Sequence, residues 1–248
     1  MYNEFAVESL RPETIFILLG NRVTNTLLAT VLVDLVIIAL VIVIRRKLSL
    51  TPGTLQVAAE GLVEYIQSTT EQVAGDRAPM IFPWVAVFFI YIAVCNLMGL
   101  LPGFGTIGFF RGGTFLPLLR AATSDLNTTL ALAVVSVLAT HVLAIRSNGF
   151  VGYLKHFFAA NPLFLFVGIL EIVQEITKLL SFSFRLFGNI SAGEQVLGTM
   201  ASLAALIVPI PFLALEILVG VIQAMIFALL TLAFMSILTE PHGKGGIG

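Results

Sequence analysis

Charged residues are scarce in this sequence, and their scarcity argues against a soluble protein. Asp, Glu, Lys and Arg make up 11% of the 248 residues, less than half of the roughly 25% that soluble domains carry. Hydrophobic residues make up 58% and occur in long runs. Because about 20 apolar residues suffice for a helix to cross a bilayer, the composition predicts an all-α integral membrane protein.

The sequence also has very little cysteine, almost no net charge and no nucleotide-binding pattern. Cys95 is the only cysteine, so neither an internal disulfide nor a cysteine-based zinc site is expected. The net charge of −1 gives no reason to expect a nucleic-acid partner. No G-x-x-x-x-G-K-[ST] pattern occurs, which argues against a phosphate-binding loop. We therefore expect no metal, no cofactor and no nucleotide site on this chain.

The apolar runs and their breaks divide the chain, which we interpret as a single membrane domain over residues 1–248. The N-terminus has neither the basic start nor the long apolar core of a cleavable signal, so it is expected to be retained. The predicted segments are a polar N-terminus at 1–25, a first span at 26–44, a surface helix at 52–78, spans at 80–101 and 126–145, and long segments at 162–208 and 212–238.

The surface helix is predicted from an amphipathic pattern. Glu60, Glu64, Gln67 and Glu71 follow one another at spacings of four, three and four residues, so they share one helical face. The segment is too polar to cross the bilayer, so a helix lying on the membrane surface fits its pattern best. An ordinary solvated helix is the alternative.

The basic residues predict an orientation. Cationic residues are enriched in cytoplasmic loops, and the larger group lies between alternate spans and in the C-terminal tail. This places the N-terminus outside and the C-terminus inside. The inner group is Arg45, Arg46, Lys47, Arg77, Arg146, Lys155 and Lys244, and the outer group is Arg11, Arg22, Arg111 and Arg120.

The segment 162–208 carries charges that lipid does not tolerate. Positions 171, 175, 178, 182, 185 and 189 repeat every three or four residues, so they form one stripe on a helix. The stripe must face other helices, a water-filled cavity or a partner subunit. Glu175 and Lys178 are three residues apart and can pair locally.

Arg185 cannot pair locally in the same way. Along a helix, Glu175 lies about 15 Å before it and Glu194 about 13 Å after it, and Glu194 is turned to the opposite face. Arginine does not lose its proton to escape burial. We therefore expect its partner to be a carboxylate from another helix or another chain.

The last apolar segment adds a buried carboxylate. Glu216 and Gln223 are seven residues apart and share a face, with Gly220 between them permitting close helix approach. Glu216 is expected to lie in a hydrated cleft or to bind a proton. A carboxylate that alternates between these states is a proton relay.

Several stretches together resemble subunit a of the F-type ATP synthases. They are "LSFSFRLFGNISAGE" at 180–194, "VPIP" at 208–211 and "EILVGVIQAMIFALLTLAFM" at 216–235. The resemblance extends upstream through "NLMGLLP" at 96–102 and "SDLNTTLALA" at 124–133. It covers most of the chain from about Pro52 onward. It implies a fold in which the last two helices form a long, tilted hairpin against a ring of c subunits.

The resemblance also implies roles for residues of the outer proton path. Arg185 matches the essential cation that faces the passing ring carboxylates. Glu194 and Glu216 match the relay positions of the outer half-channel, one of which is histidine in some members of the family. Asn189 and Gln223 match polar neighbours of the arginine.

Three further acidic residues are assigned less directly by the resemblance. Glu171 matches the acidic position of the inner half-channel, and Glu175 is expected to assist it. Asp125 resembles the acidic group at the outer mouth, although an N-cap role is the alternative. His141 and Asp34 match no position of known role, so a packed histidine and a contact with another stator subunit are the expectations there.

The implied function is that of a stator subunit whose two offset half-channels pass protons to and from the c-ring, coupling ion flow to rotation and ATP synthesis. The chain would be a non-catalytic component with the c-ring, the peripheral-stalk b subunits and the lipid bilayer as partners.

A bacterial plasma membrane is expected, with an organellar membrane as the alternative. Proton or sodium coupling and the ring size stay open. A secondary ion transporter or channel and a respiratory proton-pump subunit are the competing functions.

Overall fold

The computed structural model describes residues 12–18, 20–46, 48–111, 114–157, 162–203 and 208–240. Within these ranges, six α-helices dominate, and they confirm the all-α class. Their bounds are α1 Asn25–Arg46, α2 Thr54–Ala74, α3 Ala78–Gly99, α4 Leu126–Phe157, α5 Pro162–Leu203 and α6 Pro209–Leu238.

Four of the described segments are long and apolar enough to cross a membrane: Asn25–Arg46, Thr54–Gly99, Leu126–Phe150 and Pro209–Leu238. Only 11% of the most apolar stretch of the first of these is buried within the protein. An exposed surface this apolar is stable in lipid rather than in water. The chain is therefore an integral membrane protein.

Two short antiparallel hairpins accompany the helices, and the sequence did not predict them. Strands β1 Thr14–Leu18 and β2 Asn21–Thr24 pair before α1. Strands β3 Gly108–Arg111 and β4 Thr114–Pro117 pair in the segment between the predicted spans at 80–101 and 126–145. Both hairpins are rich in the aromatic and β-branched residues that favour strands.

Two helices differ in extent from the predicted segments. Helix α6 begins at Pro209, within the "VPIP" stretch that was expected to precede it, because proline is well suited to the first turn of a helix. Helix α4 continues to Phe157, beyond the predicted end at residue 145, with a break at Gly149, where φ is 72°.

The polar residues of this extension have a structural purpose. Ser147 Oγ donates to the Thr239 carbonyl at 3.0 Å, and Asn148 Nδ2 donates to the Leu238 carbonyl at 3.0 Å. The last carbonyls of a helix have no partner within it, so these side chains satisfy the C-terminal end of α6. Arg77 adds a donor there through its hydrogen bond to the Ser236 carbonyl.

The described residues belong to two compact units. The first unit contains those of Met1–Pro52, Ile90–Thr129 and Phe184–Met225, and the second contains those of Gly53–Phe89, Leu130–Ser183 and Ile226–Gly248. Val33, Cys95, Met98 and Ala122 form a buried cluster in the first unit. The second unit is packed around aromatic rings, with Phe227 lying 5.5 Å from Phe88 and 4.9 Å from Phe182 between ring centroids.

Candidate functional site

Arg185 lies on the exposed face of α5. Leu186 is 0% exposed and Ile190 is 5% exposed, so the four-residue spacing of apolar side chains turns one face of this helix inward. Asn189 follows Arg185 by one turn and is exposed with it. The helix therefore presents a fixed positive charge and an amide side chain along the same face.

Asn189 links this face of α5 to α6. Its Nδ2 donates to Gln223 Oε1 at 2.6 Å, and Gln223 is 2% exposed. The hydrogen bond holds the buried amide of α6 against the exposed amide one turn beyond Arg185. The sequence predicted both residues as neighbours of the arginine, and the structure joins them directly to each other.

Glu216 lies beside a cavity of about 210 Å³. The carboxylate is 6% exposed, and it packs against the backbone of α5 at Gly193. A Cβ at Gly193 would overlap both carboxylate oxygens of Glu216, so glycine allows the acid to keep this position and a larger residue would displace it. The cavity is lined by Asn189, Ala192, Gly193, Val196, Leu197, Phe212, Leu215, Glu216 and Val219. This volume is sufficient for several water molecules.

Glu194 pairs with a cation that the sequence reasoning missed. Arg120 Nε lies 3.6 Å from Glu194 Oε2, with 4% and 17% of the side chains exposed. Arg120 Nε also donates to Ser124 Oγ at 3.0 Å. The sequence placed Arg120 only among the loop charges, and its position five residues before the cap candidate Asp125 was the sequence feature that could have drawn attention to it.

Asp125 caps α4 and fastens it to α1. Its Oδ1 accepts hydrogen bonds from the Asn127 backbone N–H at 2.9 Å and from Asn127 Nδ2 at 3.0 Å. Its Oδ2 accepts one from Thr26 Oγ1 at 2.9 Å. The N-cap role, which was the alternative for this residue, is therefore present. A role at the mouth of a proton path stays a prediction.

Asn96 fastens α3 to α6 at Gly220. Asn96 Nδ2 donates to the Gly220 carbonyl at 2.8 Å, and Asn96 Oδ1 accepts from Thr123 Oγ1 at 2.8 Å. A Cβ at Gly220 would lie 3.1 Å from Asn96 Cβ. Glycine thus allows the close approach that the sequence predicted for this position.

A second group of charges surrounds Glu175 in the second unit. Lys178 Nζ lies 2.7 Å from Glu175 Oε1, which is the local pair expected from the sequence. His141 Nε2 lies 3.6 Å from Glu175 Oε2. His141 was expected only as a packed residue, and its contact with a predicted path residue is a finding of the structure.

The remaining predicted site residues lie elsewhere. Glu171 belongs to α5, but its side chain lies outside the described residues. Asp34 is exposed on α1. In the part of the chain that the structure describes, no three His, Cys, Asp or Glu side chains come together as metal ligands.

Comparison with known proteins gives consistent matches. A family model described as ATP synthase A chain matches residues 27–236. ATP synthase subunit a of Moorella thermoacetica is 31% identical, over 94% of this chain and 99% of its own length. ATP synthase subunit a 1 of Hahella chejuensis is 32% identical, over 87% of this chain and 84% of its own length. ATP synthase subunit a 2 of a Bradyrhizobium species is 36% identical, over 82% of each chain. The matched region contains Arg185 and all the carboxylates described above.

Proposed function

This chain belongs to the ATP synthase A chain family, and we propose from this premise that it is the stator subunit a of an F-type ATP synthase. It passes protons to and from the carboxylates of a ring of c subunits through two half-channels. Ion flow is thereby coupled to rotation of the ring and to ATP synthesis. The chain itself performs no bond chemistry, so nucleotides are bound by other subunits.

The exposed position of Arg185 on α5 is the observation that carries this proposal. A guanidinium keeps its charge, so it offers a fixed positive partner to a carboxylate that passes on a neighbouring ring. The carboxylate is stabilised as an anion there, and it must bind a proton before it turns into lipid. The same charge repels protons, so a proton crosses only on the ring.

The outer half-channel is proposed to follow the acids of the first unit. Glu216 borders the cavity, and Glu194 is held by Arg120. Water in the cavity would carry protons to these carboxylates and on to the ring. Asn189 and Gln223 supply the polar surface near Arg185, and Asp125 is proposed to lie at the entrance.

The inner half-channel is proposed to use Glu171 and Glu175. Glu175 has Lys178 against one carboxylate oxygen and the His141 imidazole facing the other. The carboxylate is therefore placed between two groups that can donate a hydrogen bond to it. The membrane is proposed to be a bacterial plasma membrane, with the N-terminus outside and the C-terminus inside.

The partners are the c-ring and the b subunits of the peripheral stalk. The family's long hairpin of α5 and α6 would lie tilted against the ring, and α2 would lie on the membrane surface. One charge that crosses a potential of 100 mV releases about 2.3 kcal/mol. Several ions per revolution would therefore drive the ring against a useful load.

Replacement of Arg185 tests the proposal most directly. Arg185→Ala in the whole complex should abolish ATP-driven proton pumping into membrane vesicles, because the ring carboxylate loses its cationic partner. Arg45→Ala is the matched control, since Arg45 is also an exposed arginine but lies in the last turn of α1. Pumping at wild-type level by Arg185→Ala, with the complex fully assembled, would refute the assigned role.

A secondary transporter would behave differently on reconstitution. It would move ions without a ring, whereas this chain should conduct poorly alone and show coupling only with the ring and the soluble head. A respiratory pump subunit would show transport that depends on a redox substrate. Family membership favours neither alternative.

A further inference from the structure

The second unit contains a compact group of ionisable side chains to which the proposed mechanism gives no role beyond Glu175. His141 and Tyr153 belong to α4, and Glu175 and Lys178 belong to α5. Each has a contact within the group, and His141, Glu175 and Lys178 are 21%, 17% and 16% exposed. The group is thus shielded from bulk solvent but not sealed from it.

Tyr153 fixes the orientation of the His141 ring. The Tyr153 hydroxyl lies 3.0 Å from His141 Nδ1, and the two rings meet edge to face at 5.8 Å and 76°. A hydroxyl both donates and accepts hydrogen bonds. It can therefore satisfy Nδ1 whether or not this nitrogen carries a proton, and Nε2 stays directed at Glu175 in every protonation state.

Tyr153 itself stays a hydroxyl at neutral pH. It lies beyond Phe150, where the candidate membrane span ends. Burial, and then the charge of Glu175, raise the pKa of the Tyr153 phenol. Its proton is therefore retained, and the residue acts as a hydrogen-bonding support rather than as an acid.

Glu175 is held from the side opposite His141. Lys178 Nζ binds Glu175 Oε1 at 2.7 Å and lies 4.1 Å from the centre of the Phe234 ring of α6. The carboxylate thus has one oxygen bound to a fixed ammonium and the other oxygen turned to an imidazole. The charged and titratable groups that the structure records around His141 are Glu175 and Lys178 of α5 and Tyr153 of α4.

We propose that His141 exchanges protons with Glu175 and is the inner-side proton carrier of this subunit, an inference that rests on the function proposed above. In the pumping direction, the imidazolium Nε2–H bond breaks and an O–H bond forms at Glu175 Oε2, directly or through one water across the 3.6 Å gap. The imidazole is left neutral, and a proton from the inner solution restores its charge. Glu175 then passes its proton on toward the ring.

This assignment makes pumping depend on pH at the inner face. Histidine is the side chain best suited to gain and lose a proton near neutral pH. At low inner pH His141 can be charged and supply Glu175, whereas at high inner pH it is neutral and cannot. The rate of ATP-driven pumping should therefore fall as the inner pH rises.

The test compares three variants in the whole complex, with the initial rate of ATP-driven pumping per assembled complex measured at inner pH 6 and pH 8. His141→Gln keeps a polar side chain but removes the proton, so pumping should fall about tenfold at pH 6 and little at pH 8, which flattens the profile. Tyr153→Phe keeps the ring and removes the hydroxyl, so a loss of about threefold at pH 6 is expected.

Ser136→Ala is the structural control, because Ser136 is buried on α4 and hydrogen-bonded to Thr231 in the same unit without a titratable group. Its profile should keep the wild-type shape. An unchanged profile in assembled His141→Gln, or an equal loss at both pH values, would overturn the inference. If His141→Gln assembles poorly, an unchanged rate in Tyr153→Phe at pH 6 overturns it instead.

Failure of this inference is distinct from failure of the proposed function. If Arg185→Ala abolishes pumping while His141→Gln keeps the wild-type profile, the stator role stands and His141 is only a packing residue. If Arg185→Ala pumps normally, the function itself is wrong.

Discussion

The two units hold their acidic residues in different ways. In the first unit, Glu216 lies beside a cavity and against a glycine, and Glu194 lies 3.6 Å from Arg120. In the second unit, Glu175 has a lysine at 2.7 Å and a histidine at 3.6 Å. The first arrangement provides space for water beside the Glu216 carboxylate, and the second places a lysine and a histidine against the Glu175 carboxylate.

This difference teaches that the two proposed half-channels are sensitive to different changes. A path through a water-filled cavity should respond to side-chain volume, because the cavity must stay open. A path through paired polar groups should respond to the loss of one partner, because Lys178 and His141 each contact an oxygen of the same carboxylate.

The largest effect is expected when both acids of the first unit are removed. Glu194→Gln together with Glu216→Gln should reduce ATP synthesis driven by an imposed proton gradient by roughly 100-fold, as for loss of positioned acid–base groups. Glu64→Gln with Glu71→Gln, two exposed glutamates of α2, is the matched control. Unchanged flux in the first double variant would remove these residues from the outer path.

A smaller loss of ATP synthesis should result when the side chain at position 193 is enlarged without any change of charge. In Gly193→Ala the new methyl group takes the space of the Glu216 carboxylate, so the acid must move from its place beside the cavity. Proton-driven ATP synthesis should fall about tenfold, which corresponds to 1.4 kcal/mol. Gly198→Ala, at a position of α5 with nothing within 4 Å of an added Cβ, should leave synthesis near wild type. Equal rates in the two variants would contradict a role for space in the first unit.

The smallest effect should come from one charge of the second unit. Lys178→Met keeps a long unbranched side chain but removes the ammonium from Glu175 and from the face of Phe234. Pumping should fall about threefold, because His141 then remains as a partner of the carboxylate, and the worth of one such hydrogen bond is modest. Lys178→Arg should retain most of the activity. A loss in Lys178→Arg as large as in Lys178→Met would show that shape, not charge, matters here.

The sequence predicted what lies within single helices. The charge stripe of α5 and the pairing of Glu175 with Lys178 depend only on helical spacing, which is fixed by 3.6 residues per turn. The likeness to a known family added the roles of Arg185 and its neighbours. Family membership and the helical class are confirmed, whereas the individual roles stay predictions.

Contacts between distant segments could not be predicted in this way. The pairing of Arg120 with Glu194 requires a loop to be brought against α5, and no local pattern encodes that distance. The same holds for His141, which lies on α4 but meets an acid of α5. The predicted span ended at residue 145, because the sequence alone does not reveal that Ser147 and Asn148 bind the end of α6.

The fastening of α1 has a consequence for how the chain is made. Thr26 and Asn25 bind Asp125 and the Pro117 carbonyl, partners that lie 99 and 92 residues later in the chain. During synthesis, α1 enters the bilayer long before these partners leave the ribosome. The newly inserted helix is therefore in the membrane before its hydrogen bonds to Asp125 and Pro117 can form. The first unit can be completed only after these later residues have been inserted.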